Sequence, residues 1–535
     1  MPSDELTRIA EKAARGTMFL FVGSTSATFI SAIGGIVVAR LLGPSSYGLY
    51  NLTLIMPSLL VALADLGVSN ALIRLPARLT SKGDYHRANR IIGLGFLLKI
   101  CFGAVAFFVC YAGAEAIAGT ALNRSELAPF LRIASVLILF SAILGAVNSI
   151  FIGLDLMQWN AGSQIIQSIV WSVLGPALVL VGFGIAGALW GYVLSVVVAA
   201  LTGVILLVRP AHSGGGQTRV AHPLSAELRV MLRYGLPLYM ATILTLLLTQ
   251  YQSLVLAHFA TDVEVGNFYA AWNFNNFPQI LSAPIATAMF PMFSKMDPEN
   301  QRSELARAFR LAVKYSSLIL TPAAVAIMVF SRDLVDLTFG RSYTLAPQYL
   351  ILVSAYYLSA GFGSVVLGSF LNGLAETSTV LKMSVAMLAI YVPLGPALAW
   401  LWGPYGLLIA YIISGGIPAV TYGLRRASMK FGARLDLKAS GLILFAALGA
   451  AVPSVVFTQL DPLGTGALDL IIGGVLYLTV YVTLAPIMSA VDKQDILNLR
   501  TLFGGTLIPS TLVSPIFDYA SRVLSWTKRN APTVA

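Results

Sequence analysis

The amino-acid sequence predicts an all-α polytopic membrane protein with about 14 transmembrane helices, arranged as two six-helix lobes plus an accessory helix pair. The 535 residues are 57% hydrophobic and 11% charged, with a mean hydropathy of +0.81. That composition is too apolar for soluble domains. Segments of about 20 apolar residues, which cross roughly 30 Å of hydrocarbon, recur along the whole chain. Short motifs also occur twice at a nearly constant separation.

The predicted spans follow one another with short polar or glycine- and proline-containing breaks. They lie at 17–39, 48–73, 91–113, 130–152, 165–182, 185–208, 234–257, 267–290, 311–331, 346–371, 380–402, 404–424, 440–459 and 466–490. Residues 1–16 are polar and lead into a full-length span, so we expect no cleavable signal peptide. The predicted domains are the first lobe (1–208), a linker (209–233), the second lobe (234–424), the accessory pair (440–490) and a tail (491–535).

The distribution of basic residues predicts the orientation. With the N terminus inside, 28 of the 34 Lys and Arg residues lie in cytoplasmic segments, and Lys99 alone lies within a span. The outer side holds Arg40, Arg124, Arg132, Arg332 and Arg341. Because basic residues are retained on the cytoplasmic side, we expect a cell-membrane protein with both termini and the linker in the cytoplasm. The net charge of +11 then reflects loops that face anionic lipid rather than nucleic acid.

The tail contains "PIFDYASRVLSWTKR", which is typical of an amphipathic helix. Ile516, Ala520, Val523 and Leu524 fall on one helical face. An interfacial helix and an ordinary soluble tail both fit this pattern.

An internal repeat is the most informative large-scale feature. "LGPAL" occurs at 174–178 and 394–398, and Gly153 and Gly373 keep the same separation of 220 residues. "VVARLLGPSSYGLY" also aligns with "VLAHFATDVEVGNFY", which pairs Arg40 with His258 and Gly48 with Gly266. Six spans separate the copies, so the repeat is parallel, with its axis along the membrane normal. Recurrent glycine and proline in membrane helices is the simpler alternative.

The sequence offers no sign of a catalytic or metal centre. Cys101 and Cys110 are nine residues apart in one span, and the four histidines are scattered, which fits neither a disulfide framework nor a zinc site. No phosphate-binding glycine loop of the ATPase type is present, so we expect no cofactor. Transport would draw on an H⁺ or Na⁺ gradient, the membrane potential or the substrate's own gradient.

The stretch from "ARLLGPSSYGLYNL" through "LADLGVSNALIRLPA" resembles the first two helices of polysaccharide and lipid-linked oligosaccharide flippases of the multidrug/oligosaccharidyl-lipid/polysaccharide exporter superfamily. The resemblance covers approximately residues 15–424. It implies two lobes around a V-shaped cavity, passing a polyprenyl-(pyro)phosphate-linked glycan from the inner to the outer leaflet in the cytoplasmic membrane. The partners it implies are this lipid-linked glycan and membrane lipids, and we expect a monomer. The position in the second lobe that corresponds to Arg40 holds His258 rather than an arginine. This argues against a strongly cationic cavity.

Such a substrate needs cations for its phosphate and amide or aromatic groups for its sugars. The eighth span supplies "NFYAAWNFNNFPQ", in which Tyr269, Asn273 and Asn276 share one predicted helical face. Trp272, Asn275 and Gln279 share the neighbouring face. Hydrogen bonds between packed helices are the alternative role for these amides.

Four ionisable residues complete the predicted substrate site. Arg40 either anchors the first span at the outer interface or receives the phosphate near its exit, and His258 is its counterpart in the second lobe. Asp65 and Lys99 each lie nine residues from the cytoplasmic end of consecutive spans, which puts both at about 13 Å depth. We therefore expect them to pair, either for transport or as a purely structural ion pair.

Two other classes of protein remain open. A drug or cation antiporter of the same superfamily would use a deep carboxylate, and Asp65 could serve. A membrane glycan polymerase or transferase would need a sizeable outer loop, and the longest ones, near 113–129 and 332–346, are too short for a catalytic domain. The sequence therefore favours a transporter over an enzyme.

Overall fold

The computed structural model describes residues 3–208, 224–278, 281, 292–294, 296–298, 300–460, 466–504 and 510–529. Every regular element within these residues is helical. Contacts divide the chain into two compact units, 1–266 and 267–535. Most of the linker predicted at 209–233 lies outside the described residues.

The first unit contains seven long helices. They are α1 (Ser3–Ala64), α2 (Val68–Thr80), α3 (Tyr85–Ala112), α4 (Ala128–Gly153), α5 (Met157–Leu178), α6 (Gly184–Val208) and α7 (Leu224–Phe259), with the start of α8 (Asp262–Asn273). Short segments lie at Ala114–Ala116, Ile117–Ala121, Ser125–Leu127 and Val179–Phe183. α1 holds the first predicted span and most of the second. The two parts are separated by a kink at Gly43 (φ 72°, ψ 170°) and Pro44.

The second unit continues through the remaining helices. They are α9 (Arg302–Val329), α10 (Ser331–Thr338), α11 (Ala346–Ala355), α12 (Ser364–Gly373), α13 (Thr377–Pro418), α14 (Arg425–Phe431), α15 (Leu437–Leu460), α16 (Gly466–Ile487), α17 (Lys493–Gly504) and α18 (Ser510–Arg529). A 3₁₀ segment, Tyr356–Phe362, joins α11 to α12, and a π segment, Ala419–Leu424, follows α13.

The membrane-spanning pattern agrees with the sequence. Eight helical stretches of the described chain are long and apolar enough to cross a bilayer, or nine with the bent pair α11–α12. Three of them, of 47, 51 and 55 residues, each cover two predicted spans. The seventh predicted span lies in α7, and the eighth begins in α8 and runs beyond the described residues. The chain is therefore a multi-pass helical membrane protein, as predicted.

The backbone repeats as the sequence predicts. Asp155 and Ala375, which directly follow the paired segments at Gly153 and Gly373, both adopt φ 58°. Gly184 and Gly403 share another unusual conformation, with φ near 56° and ψ near −137° (55°/−133° and 57°/−140°). α4 and α11 each begin with Ala-Pro, at Ala128 and Ala346. We call residues 17–208 the first repeat and 234–424 the second repeat.

The accessory helices and the tail pack on α9. The hydroxyls of Tyr477 and Tyr481 on α16 donate to carbonyl oxygens of α9 at 3.0 Å each. The predicted amphipathic helix is present as α18, and its Ala520 is buried, with Leu524 packed against the same core. The apolar face of the tail helix therefore contacts the protein's own helices.

Candidate transport site

The second span is broken at Asp65, and a partly buried ion pair lies at the break. α1 ends at Ala64, and the chain turns through Leu66 (φ 45°) and Gly67 (φ 80°) before α2 begins. A Cβ atom on Gly67 would lie 2.2 Å from the carbonyl oxygen of Gly235 on α7. Only glycine fits this turn, because it needs a positive φ and no side chain at the contact with α7.

Lys99 on α3 forms an ion pair with Asp65, which confirms the predicted pairing. The lysine side chain is 6% exposed and the aspartate 19%. Ser69 donates to the same carboxylate oxygen at 2.6 Å. On the other side, a Cβ atom on Gly145 would lie 3.8 Å from Lys99 Nζ, so the ammonium group lies next to a position of α4 that has no side chain. Breaking the pair would leave an unpaired charge among membrane helices, which is costly.

α7 is held to the first repeat at both of its ends. Near its start, Glu227 is 1% exposed and faces Arg90 at 3.3 Å and Arg87 at 3.9 Å. Near its end, the guanidinium of Arg124 donates to Asp262 at 2.5 Å, to the Ala260 carbonyl at 2.6 Å and to the Ala257 carbonyl. Arg124 thus caps the carbonyl end of α7.

The two repeat-related motifs of the sequence contact each other. A Cβ atom on Gly48 would lie 2.1 Å from the Asp262 carbonyl oxygen, and one on Gly266 would lie 1.8 Å from that of Pro44. Each motif therefore needs its glycine for the backbone of the other to approach.

Arg40 and His258, the basic residues of these motifs, lie on the surface of the unit. Arg40 is exposed and forms no ion pair within the described part of the chain. His258 is also exposed, and its Nδ1 donates to the Leu254 carbonyl of its own helix at 3.1 Å. The structure does not bring Arg40 or His258 into contact with the Asp65–Lys99 pair.

The second unit carries the predicted amide and aromatic residues. Tyr269, Trp272 and Asn273 lie on α8, but the helix ends at Asn273 and the chain turns at 274–275. The prediction of one continuous helical face through Asn276 was therefore wrong. Asn273 and Asn276 are nevertheless adjacent, since Asn276 donates to the Asn273 carbonyl at 3.3 Å. Both residues are exposed. Asn273 itself donates to the Tyr269 carbonyl at 2.9 Å. Gln279 lies outside the described residues.

A second break lies next to this turn. Gly363 (φ 78°) ends the 3₁₀ segment between α11 and α12, which are bent by 52°. Tyr357 in that segment donates to Asn275 Oδ1 at 2.5 Å and lies 3.1 Å from the Asn275 carbonyl. Asn275 therefore joins two broken spans, as the packing alternative for the amides predicted.

Aromatic rings surround the side chain of Trp272. Its ring stacks on Phe268 at 5.6 Å with an interplanar angle of 12° and meets Tyr411 edge-on at 5.5 Å. Tyr411 also contacts Tyr356 at 5.1 Å and Tyr391 at 6.3 Å. We call Phe268, Trp272, Tyr349, Tyr356, Tyr391, Tyr405 and Tyr411 the aromatic cluster. Amides beside aromatic rings are suited to binding sugars, which present hydroxyls and apolar faces.

An apolar cavity of about 560 Å³ lies elsewhere in the second unit. Its walls come from α9, α16, α17 and α18, and include Leu318, Pro322, Tyr477, Leu499 and Phe517. Its lining is almost entirely hydrocarbon, so it is suited to an apolar chain.

Sequence reasoning missed three structural residues. The basic-residue count places Arg124 in an outer loop, and Glu227 falls in the predicted linker, although Arg124 binds the end of α7 and Glu227 faces two arginines of α3. Asn267 is 0% exposed, and its side-chain oxygen accepts from the backbone N–H groups of Leu345 and Ala346 at 3.0 and 2.9 Å, where α11 begins. The Ala-Pro start of α11 was the available signal for such a cap.

Nothing in the described part of the chain resembles a metal centre, since no three His, Cys, Asp or Glu side chains converge there. Buried charge at a broken span, amides and aromatic rings at others, and a repeated six-span core define a helical membrane transporter.

The chain belongs to the polysaccharide biosynthesis protein family, which matches residues 13–297. The MatE family matches residues 237–397.

The individual proteins that this chain resembles include proteins named for glycan and lipopolysaccharide biosynthesis. The probable low-salt glycan biosynthesis flippase Agl15 of Haloferax volcanii is 22% identical over 409 residues, covering 76% of this chain and 82% of the relative. The lipopolysaccharide biosynthesis protein WzxC of Escherichia coli K12 is 23% identical over 413 residues, covering 76% and 79%. The lipid II flippase MurJ in an inward closed conformation superposes with a TM-score of 0.69 at 16% identity, over 88% of this chain and 98% of that one. This likeness establishes the shared fold.

Proposed function

We propose that this protein is a flippase that moves a polyprenyl-(pyro)phosphate-linked oligosaccharide from the inner to the outer leaflet of the cell membrane. The observation that carries the proposal is the division of chemistry between broken spans. One break holds a buried ammonium–carboxylate pair, and two others hold amides and an aromatic cluster. The family match and the flippase relatives support the same function.

Lys99 is the residue we assign to the phosphate. Its ammonium group is compact and is compensated by Asp65 in the absence of substrate, so an arriving phosphate can displace the carboxylate, whose charge is then balanced by uptake of H⁺ or Na⁺. Asp65 then holds Lys99 in position between cycles or carries the coupling H⁺ or Na⁺. Arg40 and His258, exposed and outside this pair, are proposed to meet the phosphate later on its path.

Tyr269, Trp272, Asn273 and Asn276 are assigned to the sugars. The exposed amides of Asn273 and Asn276 can exchange hydrogen bonds with hydroxyls. The aromatic cluster supports Trp272 rigidly, so its remaining surface can lie against a sugar ring. The apolar cavity beside α16 suits part of the polyprenyl chain.

Alternating access of the lobes requires α7 to change partners, because α7 belongs to the second repeat but is fastened to the first at both ends. We infer that the Glu227 attachment opens when the site faces the cytoplasm and that the Arg124 attachment opens when it faces outward. This ordering assumes cytoplasmic termini and a cytoplasmic linker, as the basic-residue count indicates. Labelling of a cysteine in the linker by a membrane-impermeant reagent applied from outside would contradict that orientation.

The function is tested by deleting the gene in its own host. We expect loss of a surface or secreted polysaccharide and accumulation of lipid-linked intermediates on the inner leaflet, both restored by the wild-type gene. In proteoliposomes, the purified protein should expose a lipid-linked oligosaccharide to an external glycosidase.

A drug or cation antiporter is the second candidate, favoured by the MatE match to residues 237–397. A multidrug MATE transporter in an inward-facing conformation also superposes with a TM-score of 0.59, over 75% of this chain and 95% of that one, at 20% identity. Normal polysaccharide with altered drug tolerance in the deletion strain, in a host without a redundant flippase, would favour the antiporter.

A further inference from the structure

A polar cavity of about 690 Å³ lies between α10 and the start of α11, apart from the residues assigned above. Arg332, Arg341, Thr344 and Gln348 are among its lining residues. Both arginines belong to the five basic residues that the sequence places on the outer side. Because the positive-inside bias makes outer arginines rare in this chain, topology does not explain why two of them line one cavity.

The cavity carries a net positive charge. Its charged lining residues are Arg332, Arg341 and Asp336. The Arg332 side chain is 86% exposed, and its Nε is 4.0 Å from Asp336 one helical turn away, a weak surface pair. Arg341 is exposed and has no ion-pair partner among the residues that the structure describes. Both planar guanidinium groups can therefore bind an oxyanion through paired hydrogen bonds.

The same cavity adjoins the aromatic cluster. Gln348 accepts a hydrogen bond from the Tyr405 hydroxyl through its amide oxygen, which leaves its amide nitrogen as a donor. Tyr405 packs edge-on against Tyr349 at 4.8 Å, and Tyr349 contacts Phe268 at 6.4 Å. An unbroken series of side-chain contacts thus joins the cavity to the residues proposed to bind sugars.

We propose that this cavity binds an anionic group of a saccharide, either a carboxylate or a (pyro)phosphate. Arg332 and Arg341 hold the oxyanion, and Gln348 and Thr344 donate to neighbouring oxygens. The inference rests on the proposed function, because a glycan delivered to the outer leaflet would reach this end of the second repeat as it leaves. The cavity would then favour release outward of acidic glycans over neutral ones.

Calorimetric titration of the purified full-length protein in detergent tests the proposal. The probes are inorganic pyrophosphate, trigalacturonate and the neutral sugar maltotriose. We expect saturable binding of at least one anion, weakened at least tenfold in the double variant Arg332→Gln, Arg341→Gln. Added salt should weaken it as well. Arg132→Gln, which removes an exposed arginine outside the cavity, should bind as the wild type does.

The pattern of binding identifies the source of the charge. Binding of pyrophosphate alone indicates the phosphate linkage, and binding of trigalacturonate alone indicates an acidic sugar. The proposal is overturned if neither anion binds, if the double variant keeps the wild-type affinity, or if maltotriose binds equally well. Matching gel-filtration profiles and unfolding temperatures establish that the double variant is folded. The titration requires no transport. A negative titration would therefore not contradict the flippase proposal, and a negative export assay would not contradict anion binding in this cavity.

Discussion

The two repeats share a backbone but differ in the chemistry they place on it. In the first repeat, Tyr50 stacks on Trp171 at 6.1 Å, and Trp171 meets Tyr192 edge-on at 5.4 Å. The repeat-related positions in the second are Phe268, Tyr391 and Tyr411. There a further ring, Trp272, lies between Phe268 and Tyr411. Its counterpart in the first repeat is Leu54.

A buried charge, by contrast, is present in the first repeat and absent from the corresponding position of the second. α3 and α9 are both 28 residues long, and aligning their first residues puts Ser316 at the place of Lys99. Ser316 is fully buried and donates to its own helix at 2.8 Å. The first repeat therefore buries an ammonium group where the second buries a hydroxyl. At these positions the first repeat carries one buried ammonium group that the second lacks, and the second carries one aromatic ring that the first lacks.

A two-residue insertion in the second repeat is a further difference between the repeats. The repeat separation is 218 residues at the starts of α4 and α11 and 220 at Gly153 and Gly373. α4 is continuous, whereas the equivalent stretch of the second repeat is interrupted by the 3₁₀ segment at Tyr356–Phe362. Two residues are about half of a 3.6-residue turn, and the longer stretch is the one that contains the 3₁₀ segment. Tyr356 and Tyr357 occupy the break.

The largest effect is expected from removing the charge that distinguishes the first repeat. Under the proposed function, Lys99→Ala should abolish export, because the phosphate would lose its cation, and any loss of protein would come from the unpaired Asp65 carboxylate. The double variant Asp65→Ala, Lys99→Ala should recover any lost stability but not export. Ser316→Ala, the repeat-related control, should export normally. Export and membrane protein level are measured together, and full export by a well-expressed double variant would make the pair purely structural.

Making the second repeat more like the first at Trp272 should have an intermediate effect. Trp272→Leu copies Leu54 and removes one ring from the aromatic cluster, which is worth about 1.4 kcal/mol or roughly tenfold in sugar binding. Export should fall by about that factor, whereas Trp272→Phe should retain most of it. Equal export by both variants would contradict a sugar-stacking role.

A smaller effect is expected at the inserted break. Tyr357→Phe removes the hydroxyl that joins the 3₁₀ segment to Asn275 and should destabilise the protein by about 1 kcal/mol. A lower unfolding temperature in detergent would show it. Substituting Tyr356 by Phe, which keeps the ring, is the matched control, and an equal loss in both variants would argue against the specific hydrogen bond.

The smallest effect is expected at Glu376, in the turn after Gly373, where the repeats also differ. It is a change of stability with pH. A hydrogen bond from Lys430 lowers the pKa of Glu376, with Thr379 and Arg426 adding to the effect. The stabilisation is therefore present above the unfolded pKa of about 4.3 and is lost as pH falls through the lower folded pKa. Lys430→Met should be slightly less stable than wild type at pH 7, with the difference vanishing in acid. Lys382→Met is the control, and a difference that persists unchanged at low pH would contradict this account.

Span positions, the repeat and the Asp65–Lys99 pair were predictable because each depends on local composition or on helical rise per residue. Helix breaks were less predictable. The turn after Asn273 lies in a sequence with helical periodicity, and only tertiary contacts such as that from Tyr357 reveal it. The attachments of Arg124 and Glu227 to helices more than 100 residues away in sequence have no local signature at all.

The packing of α7 also bears on biogenesis. By sequence α7 opens the second repeat, yet its contacts complete the first compact unit, which extends to Gly266. During synthesis the first six spans emerge before α7 does, leaving Arg87, Arg90 and Arg124 without their carboxylate and carbonyl partners. Insertion of the seventh span is thus the step that finishes the first unit. A chain cut at the linker would yield a first fragment without α7, in which Arg87, Arg90 and Arg124 lack the carboxylates of Glu227 and Asp262.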